Sequence, residues 1–394
     1  MAAPPRNLAE IYEAVCAENG VKINPDVLGV LRETNETRLT FGQRLTDDDV
    51  LVVSECLRRS PSVTGLDLKF SSVTDEGVKH IAHLLQQENS CLRSLDLTFN
   101  DILSEGAEIL STSLKCNHSL LSLRLSGNKV GNRGAMHVAT MLQDTQSVIA
   151  VAIAVKNNNT LHHVDLSRPL LFSLQEEWAE HCSLMLAVNN SLLELHLGKM
   201  MMTDTGMERL TEGLRLNHSL RYLDLHCNRV TRDGARRLAE VLKQNPTLEV
   251  IDLSSNRNED EGAAYLSDAL MRPGCGLREL SVNNNNIRTD GLLALTHAMK
   301  ANATLTHIYI WGNHLEEEPV CKAFRELISS GRLLPQQTDV SVCEVDCRVF
   351  LAKAFNNLRR RYDEETLWEP AAPPTDGDAS GLTVHQRNRN KRWK

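Results

Sequence analysis

The side chains with the greatest chemical potential in this 394-residue sequence return at a near-constant interval. Asp67, Asp96, Arg124, Asp165, His196, Asp224, Asp252, Ser281 and Tyr309 hold one corresponding position in nine stretches, and His163, Glu194, Tyr222, His226, Glu279, His307 and Trp311 hold the positions beside it. Carboxylates such as Asp224 and Asp252 would lie roughly 5 Å apart on neighbouring strands, a spacing that acid–base chemistry could use. Nothing assembles around them in the sequence. There is no phosphate-cradling glycine loop, no H-E-x-x-H and no C-x-x-C, and Cys343-x-x-x-Cys347 alone lacks the partners that a zinc site requires. His162 and His163 are consecutive, so one of them must point into the core. The expectation is therefore no catalytic residue, no metal and no cofactor. An acidic floor that ends in Tyr309, Trp311 and His307 reads instead as a protein-binding surface, where aromatic side chains often carry most of the energy. The ordinary reading stands beside it: Leu-Asp-Leu is a default strand spelling, and an exposed Asp there keeps the surface soluble.

The elements that must position these residues follow from the repeat. Leu-x-x-Leu-x-Leu-x-x-Asn begins at Leu92, Leu120, Leu220 and Leu248, and in altered form at Val63, Leu161, Leu192, Leu277 and Leu305. The starts are 29, 28, 41, 31, 28, 28, 29 and 28 residues apart, with a worn tenth copy at Leu39-Thr-Phe41. Side chains alternate along a strand, so Leu223 and Leu225 face the core while Tyr222, Asp224 and His226 face the other way. Gly follows the Asn position by six residues in seven copies, from Gly77 to Gly291, and apolar residues at helical spacing come next, such as Leu238, Val241 and Leu242. Each unit is strand, turn, helix. One unit cannot bury its own apolar faces, so units must stack into an α/β solenoid, a horseshoe with parallel strands on the concave face and helices on the convex face. Asn100, Asn128, Asn228, Asn256, Asn285 and Asn313 are expected to bond backbone groups in the turns.

The expected organisation is an N-terminal helical cap over residues 1–35, a repeat array of about ten units over 36–333, a C-terminal cap over 334–368 and a disordered tail with a basic end over 369–394. In the caps, helices are expected from Leu8 to Gly20 and from Pro25 to Leu31, a hairpin at Val340–Val345 and Val349–Leu351, and a helix over Ala352–Arg361. The middle of the array is irregular: about 13 residues are added between Asn128 and Leu161, placed near 144–156 and including the apolar run Val148–Val155. That run is too short to span a bilayer and is read as an extended or broken convex helix. Pro169 and Met200 replace the turn Asn in the next two units. These defects are read either as insertions absorbed by loops or as a break that opens a partner groove near Phe172, Trp178 and Met200–Met202.

The formal charge of −8 divides unevenly. Residues 371–394 hold five Lys or Arg against two Asp, or +3, which leaves −11 on the remainder. Such a body is a poor binder of nucleic-acid backbones and suits basic protein segments. The tail residues Arg387, Arg389, Lys391, Arg392 and Lys394 spell a candidate nuclear-import segment. No membrane partner is expected, and the N-terminal residues lack the apolar core of an export signal. Ten scattered cysteines, with Cys116 and Cys227 read as small apolar repeat residues, fit reduced thiols in the cytosol or nucleus. Sequons at Asn117, Asn217 and Asn302 fall at one turn of the repeat and are discounted as glycan sites.

The 28- and 29-residue units resemble the ribonuclease-inhibitor class of leucine-rich repeats over about residues 36 to 333. Leu166-Ser-Arg-Pro-Leu-Leu-Phe-Ser173, Gln175-Glu-Glu-Trp178, Ile308-Tyr-Ile-Trp-Gly-Asn313, Thr338-Asp-Val340 and Val345-Asp-Cys-Arg-Val-Phe-Leu-Ala352 resemble, more narrowly, the leucine-rich repeat-containing protein 34 family. That resemblance implies a nucleolar, nuclear and cytoplasmic protein of stem and germ cells, linked to pluripotency, differentiation and ribosome biogenesis, with a nucleolar chaperone as partner. It brings no catalytic residues. Cys347 stands where the family favours Gly, and the tail after Trp368 departs from it. The competing reading is a GTPase-activating protein, since another protein of this repeat class accelerates GTP hydrolysis. Arg124 is then the floor's candidate charge for a developing phosphate.

Overall fold

Apolar residues at alternate positions close ten short strands into one sheet. They are β1 Arg38–Thr40, β2 Gly65–Asp67, β3 Ser94–Asp96, β4 Ser122–Arg124, β5 His163–Asp165, β6 Glu194–His196, β7 Tyr222–Asp224, β8 Val250–Asp252, β9 Glu279–Ser281 and β10 His307–Tyr309. All neighbours pair in parallel and in chain order. The register aligns the central core residue of each strand with the next, as in Leu195↔Leu223↔Ile251. The computed structural model describes residues 7–33, 37–42, 44–60, 62–87, 90–128, 146–168 and 176–358. All of these belong to the compact unit Met1–Leu358; the second unit, Arg359–Lys394, lies outside the described residues and with it the candidate import segment.

Helices α1 Leu8–Asn19 and α2 Pro25–Glu33 precede the first strand, and α3 Asp47–Arg59, α4 Asp75–Leu85, α5 Ser104–Leu114, α6 Gln146–Asn157, α7 Glu177–Leu186, α8 Asp204–Leu216, α9 Arg232–Leu242, α10 Glu259–Leu270, α11 Thr289–Ala301 and α12 Glu318–Ser329 follow the strands in turn. From α3 onward each helix packs against the next. Helices sit about 8–10 Å apart and strands about 4.8 Å apart, so stacking both in register curves the body with the sheet on its inner rim. None of the described helices is long and apolar enough to cross a membrane.

Two ladders of buried asparagine hold consecutive units together. Asn228 Nδ2 donates to the carbonyls of Leu197 and Leu225, each at 2.9 Å, and its Oδ1 accepts the N–H groups of Met200 and Met202, each at 3.0 Å. Asn100, Asn128 and Asn256 repeat the two-carbonyl pattern, which is the turn role expected of them. The second ladder lies at the helix-to-strand turn, where Asn217 Nδ2 donates to Leu186 and Asn189 carbonyls. It contains the sequon residues Asn117, Asn217 and Asn302, all buried, so a glycan has no access to them in the folded chain.

A third ladder joins the helix starts. Asp204, in the first turn of α8, accepts the Thr231 hydroxyl at 2.6 Å and the Thr231 N–H at 2.8 Å, together with the Gly234 N–H at 3.0 Å, at the head of α9. A Cβ on Gly234 would lie 2.6 Å from that same carboxylate oxygen. The repeated Gly therefore makes room for the preceding unit's Asp, and Asp47, Asp75 and Asp260 occupy the same place in their units. In α7 and α8 the role passes to Glu176, which receives the Thr203 hydroxyl and N–H.

Several expectations are corrected. Val148–Val155 lies inside α6, a convex helix packed between α5 and α7, so the run is neither extended nor broken; residues 129–145 lie outside the described residues. Trp178, Met200 and Met202 are core, at 1%, 1% and 0% exposure, so they line no groove; Pro169 and Phe172 lie outside the described residues. Cys116 and Cys227 are exposed, and the buried thiols are Cys16, Cys56, Cys182, Cys275 and Cys321. After α12 the chain forms the hairpin β11 Val340–Val345 and β12 Arg348–Lys353. The expected helix from Ala352 is absent over the described residues up to 358, because Val349–Leu351 continues as the pleated strand that pairs with β11. Asp339 closes the last strand: its two carboxylate oxygens accept the N–H groups of Ile310 at 2.9 Å and Trp311 at 3.0 Å, in place of a further strand.

Candidate interaction site on the concave floor

Strand alternation places the whole predicted column on the inner face, but facing inward is not the same as being open. Asp96, Asp165, Glu194, His196, Tyr222, Asp224 and Tyr309 are buried, whereas Arg124, His226, Asp252, Glu279, His307 and Trp311 are half-buried. The expectation of a solvent-exposed aspartate row is therefore corrected. Strands stacked about 4.8 Å apart cover each short side chain with its neighbours, and the carboxylates turn back onto the chain. Asp67, Asp96, Asp165, Asp224 and Asp252 each accept the backbone N–H two residues ahead, at 2.9–3.1 Å. This is an Asx turn that ends the strand.

One carboxylate oxygen is spent on that turn, and the other reaches a side chain that varies along the floor. Asp67 pairs with Lys69 at 3.1 Å, Asp96 with Arg124 at 3.0 Å, and Asp224 with His196 at 3.2 Å. The first carboxylate oxygen of Asp224 also takes the His226 ring at 2.7 Å. Since a carboxylate only accepts, both imidazoles present Nδ1–H to it.

The centre of the floor is a continuous chain of charge across β5 to β8. His163 Nδ1 lies 3.2 Å from Glu194 Oε2, and His196 Nε2 lies 3.6 Å from the same oxygen. Neither contact has hydrogen-bond geometry, so they are close electrostatic approaches. His196 then continues to Asp224 and Asp224 to His226. Tyr222 covers His196 with ring centroids 5.0 Å apart. Burial alone would push the His196 imidazolium down, but Asp224 and Glu194 outweigh it and bring it up to about 9. Burial likewise would raise Glu194, yet His163 and His196 draw it down to about 2. Asp224 is lowered against its burial by His196 and His226. Asp252 goes the other way: burial, and next the charge of Asp224 on the adjoining strand, push its carboxyl up.

Sequence reading placed every member of this chain on one face but not in mutual contact. His163 and Lys69 carry partners that no local motif announces, because each partner sits on a neighbouring strand or beside a turn. At the other end, His307 and Tyr309 lie with ring centroids 6.5 Å apart, and Trp311 packs partly against the core. Glu279 stands half-exposed between the charged centre and these rings.

The comparisons with known proteins agree with this architecture. The family described as Leucine Rich repeat matches residues 88–111, 116–139, 216–239, 244–267 and 276–295. The chain is 40% identical to leucine-rich repeat-containing protein 34 of Mus musculus, over 91% of this chain and 93% of that relative. It is also 40% identical to the Homo sapiens protein of the same name, over 91% and 84%. Ribonuclease inhibitor of Sus scrofa is 32% identical over 39% of this chain and 30% of its own length. With its ten parallel strands, asparagine ladders and identity along nine-tenths of its length, the chain belongs to the leucine-rich repeat-containing protein 34 family.

Proposed function

We propose that this protein is a non-enzymatic interaction scaffold whose concave floor receives a basic protein segment, and that it works in the nucleus and nucleolus as well as the cytoplasm, in ribosome biogenesis and in the regulation of pluripotency and differentiation. The observation that carries the binding reading is the half-exposed set Arg124, His226, Asp252, Glu279, His307 and Trp311, held by buried neighbours that fix their positions. Side chains preorganised in this way lose little freedom when a partner docks. The nuclear reading, and a nucleolar chaperone as the partner, rest on the family likeness and on the basic residues Arg387 to Lys394. A GTPase-activating role fits the floor less well: Arg124 is tied to Asp96 at 3.0 Å, whereas an arginine that stabilises a developing phosphate must be free to reach it.

The test is proximity labelling in living cells with the intact chain, a Glu279→Lys, Trp311→Ala variant checked for native circular dichroism, and a chain lacking 386–394. Loss of nucleolar partners in the floor variant, and loss of the nuclear fraction in the truncated chain, are expected. An unaltered partner set in the folded floor variant refutes the binding reading. An unaltered nuclear fraction refutes the import reading.

A further inference from the structure

We infer that Asp224, His226 and Asp252 form a binding site for a divalent transition metal of the zinc class. Each contributes one donor atom, and the three donors lie within 4.8 Å of one another. They come from two strands paired in register, Asp224↔Asp252, with His226 two residues further along the same face of its chain.

The surroundings favour a cation there. Asp224 is buried and Asp252, half-exposed, is its carboxylate neighbour on the next strand, and the chain supplies cationic partners unequally. Asp224 has His196 and His226, while Asp252 forms no salt bridge among the described residues; it accepts from Ser254, whose N–H lies at 2.9 Å, and shares the attraction of His226. Like charges held together in this way are relieved by a bound cation.

His196 completes the design one step out. Fully buried, it holds the second oxygen of Asp224 at 3.2 Å, as outer partners orient metal-binding carboxylates elsewhere. His226 and Asp252 are half-exposed, which leaves an approach from the inner rim and room for water to complete the coordination. One imidazole with two carboxylates selects zinc-like ions over magnesium, which prefers oxygen alone. Metal–ligand bonds of about 2.0–2.2 Å require the three donors to draw together by roughly 1 Å, within the reach of side-chain rotation. His226 would exchange its contact with Asp224 for the metal.

Equilibrium dialysis of the full chain against buffered free zinc, with bound metal counted, tests this. Three variants accompany it: Asp252→Asn, His226→Gln and Cys227→Ser. Asn at 252 can still accept the Ser254 N–H, and the exposed Cys227 thiol is the nearest competing explanation in the sequence. One equivalent of zinc is expected for the unaltered chain and for Cys227→Ser, with a higher Tm when zinc is present. At least tenfold weaker binding is expected for Asp252→Asn and for His226→Gln, each with native circular dichroism. Magnesium should not compete. No stoichiometric zinc, binding unchanged in folded Asp252→Asn or His226→Gln, or binding lost in Cys227→Ser alone would overturn the site.

Discussion

Two buried polar rows run the length of this protein, and they differ in what they leave over. The turn asparagines are neutral and use their amide groups on the backbone: Asn228 bridges two carbonyls and two N–H groups of adjacent units. The floor aspartates commit one oxygen to the N–H two residues ahead and offer the other to whatever side chain lies alongside. A closed amide can only be kept or lost. A carboxylate with a spare oxygen lets the partner vary, as Lys69, Arg124 and His196 show, without disturbing the strand end. The contrast explains how one repeat can be structurally uniform and chemically varied.

The contrast can be broken most sharply at Asn228. Replacing it with Ala strands two N–H groups and two carbonyls inside the turn, and unmatched buried groups are costly. A loss of roughly 3 kcal/mol or more is expected, read as the denaturant midpoint; a loss below 1 kcal/mol would mean that the ladder is not what holds the units together.

A smaller and pH-dependent effect is expected at Glu194. Its carboxyl is held down to about 2 in the fold, against an ordinary 4.5. A depressed carboxylate adds stability that is fully present above the unfolded value and is lost as pH falls through the folded one. That contribution is on the order of 3 kcal/mol at neutral pH, disappearing between about pH 4.5 and 2. Glu194→Gln should therefore be less stable at neutral pH and lose less on acidification across that window. Parallel acid-denaturation curves for the two chains would contradict the charge chain.

Asp252→Asn should cost less than about 1 kcal/mol, because the turn bond survives and a like charge beside Asp224 is removed. A larger cost would show that this carboxylate is structural like the asparagines. The smallest effect is expected one residue from the ladder. Cys227 precedes Asn228 and is exposed, so a small thiol reagent should label it within minutes and change stability by under about 0.5 kcal/mol. Cys56 and Cys182, whose thiols burial pushes up to about 12, should stay unlabelled until the chain unfolds.

The solenoid and the role of its turn asparagines were legible from spelling alone, since both follow from a 28-residue period and from the rule that buried amides find partners. Accessibility was not. Alternation told which way Asp224 faces, but its burial depends on His196 and Asp252, each 28 residues away, and on a bond to its own chain that any exposed Asp could equally have lacked. The apolar runs Val148–Val155 and Val349–Leu351 read as helix and strand, and both are found; the sequence misleads in what surrounds them, because α6 is unbroken and β12 runs on through Ala352 and Lys353, where a helix is expected to begin.

The Asp–Gly joint between successive helices has a further consequence. Because Asp204 caps the start of the next helix rather than its own, as Asp47, Asp75 and Asp260 do in their units, these joints all run in one direction along the chain, whereas at Gly262 the preceding unit offers Arg232 instead. At these joints, excising or duplicating a unit keeps the contact only when the cut leaves an accepting carboxylate in front of the glycine that makes room for it. The place where Glu176 stands in for Asp is then a natural seam, where a longer carboxylate could accept a neighbour of altered length.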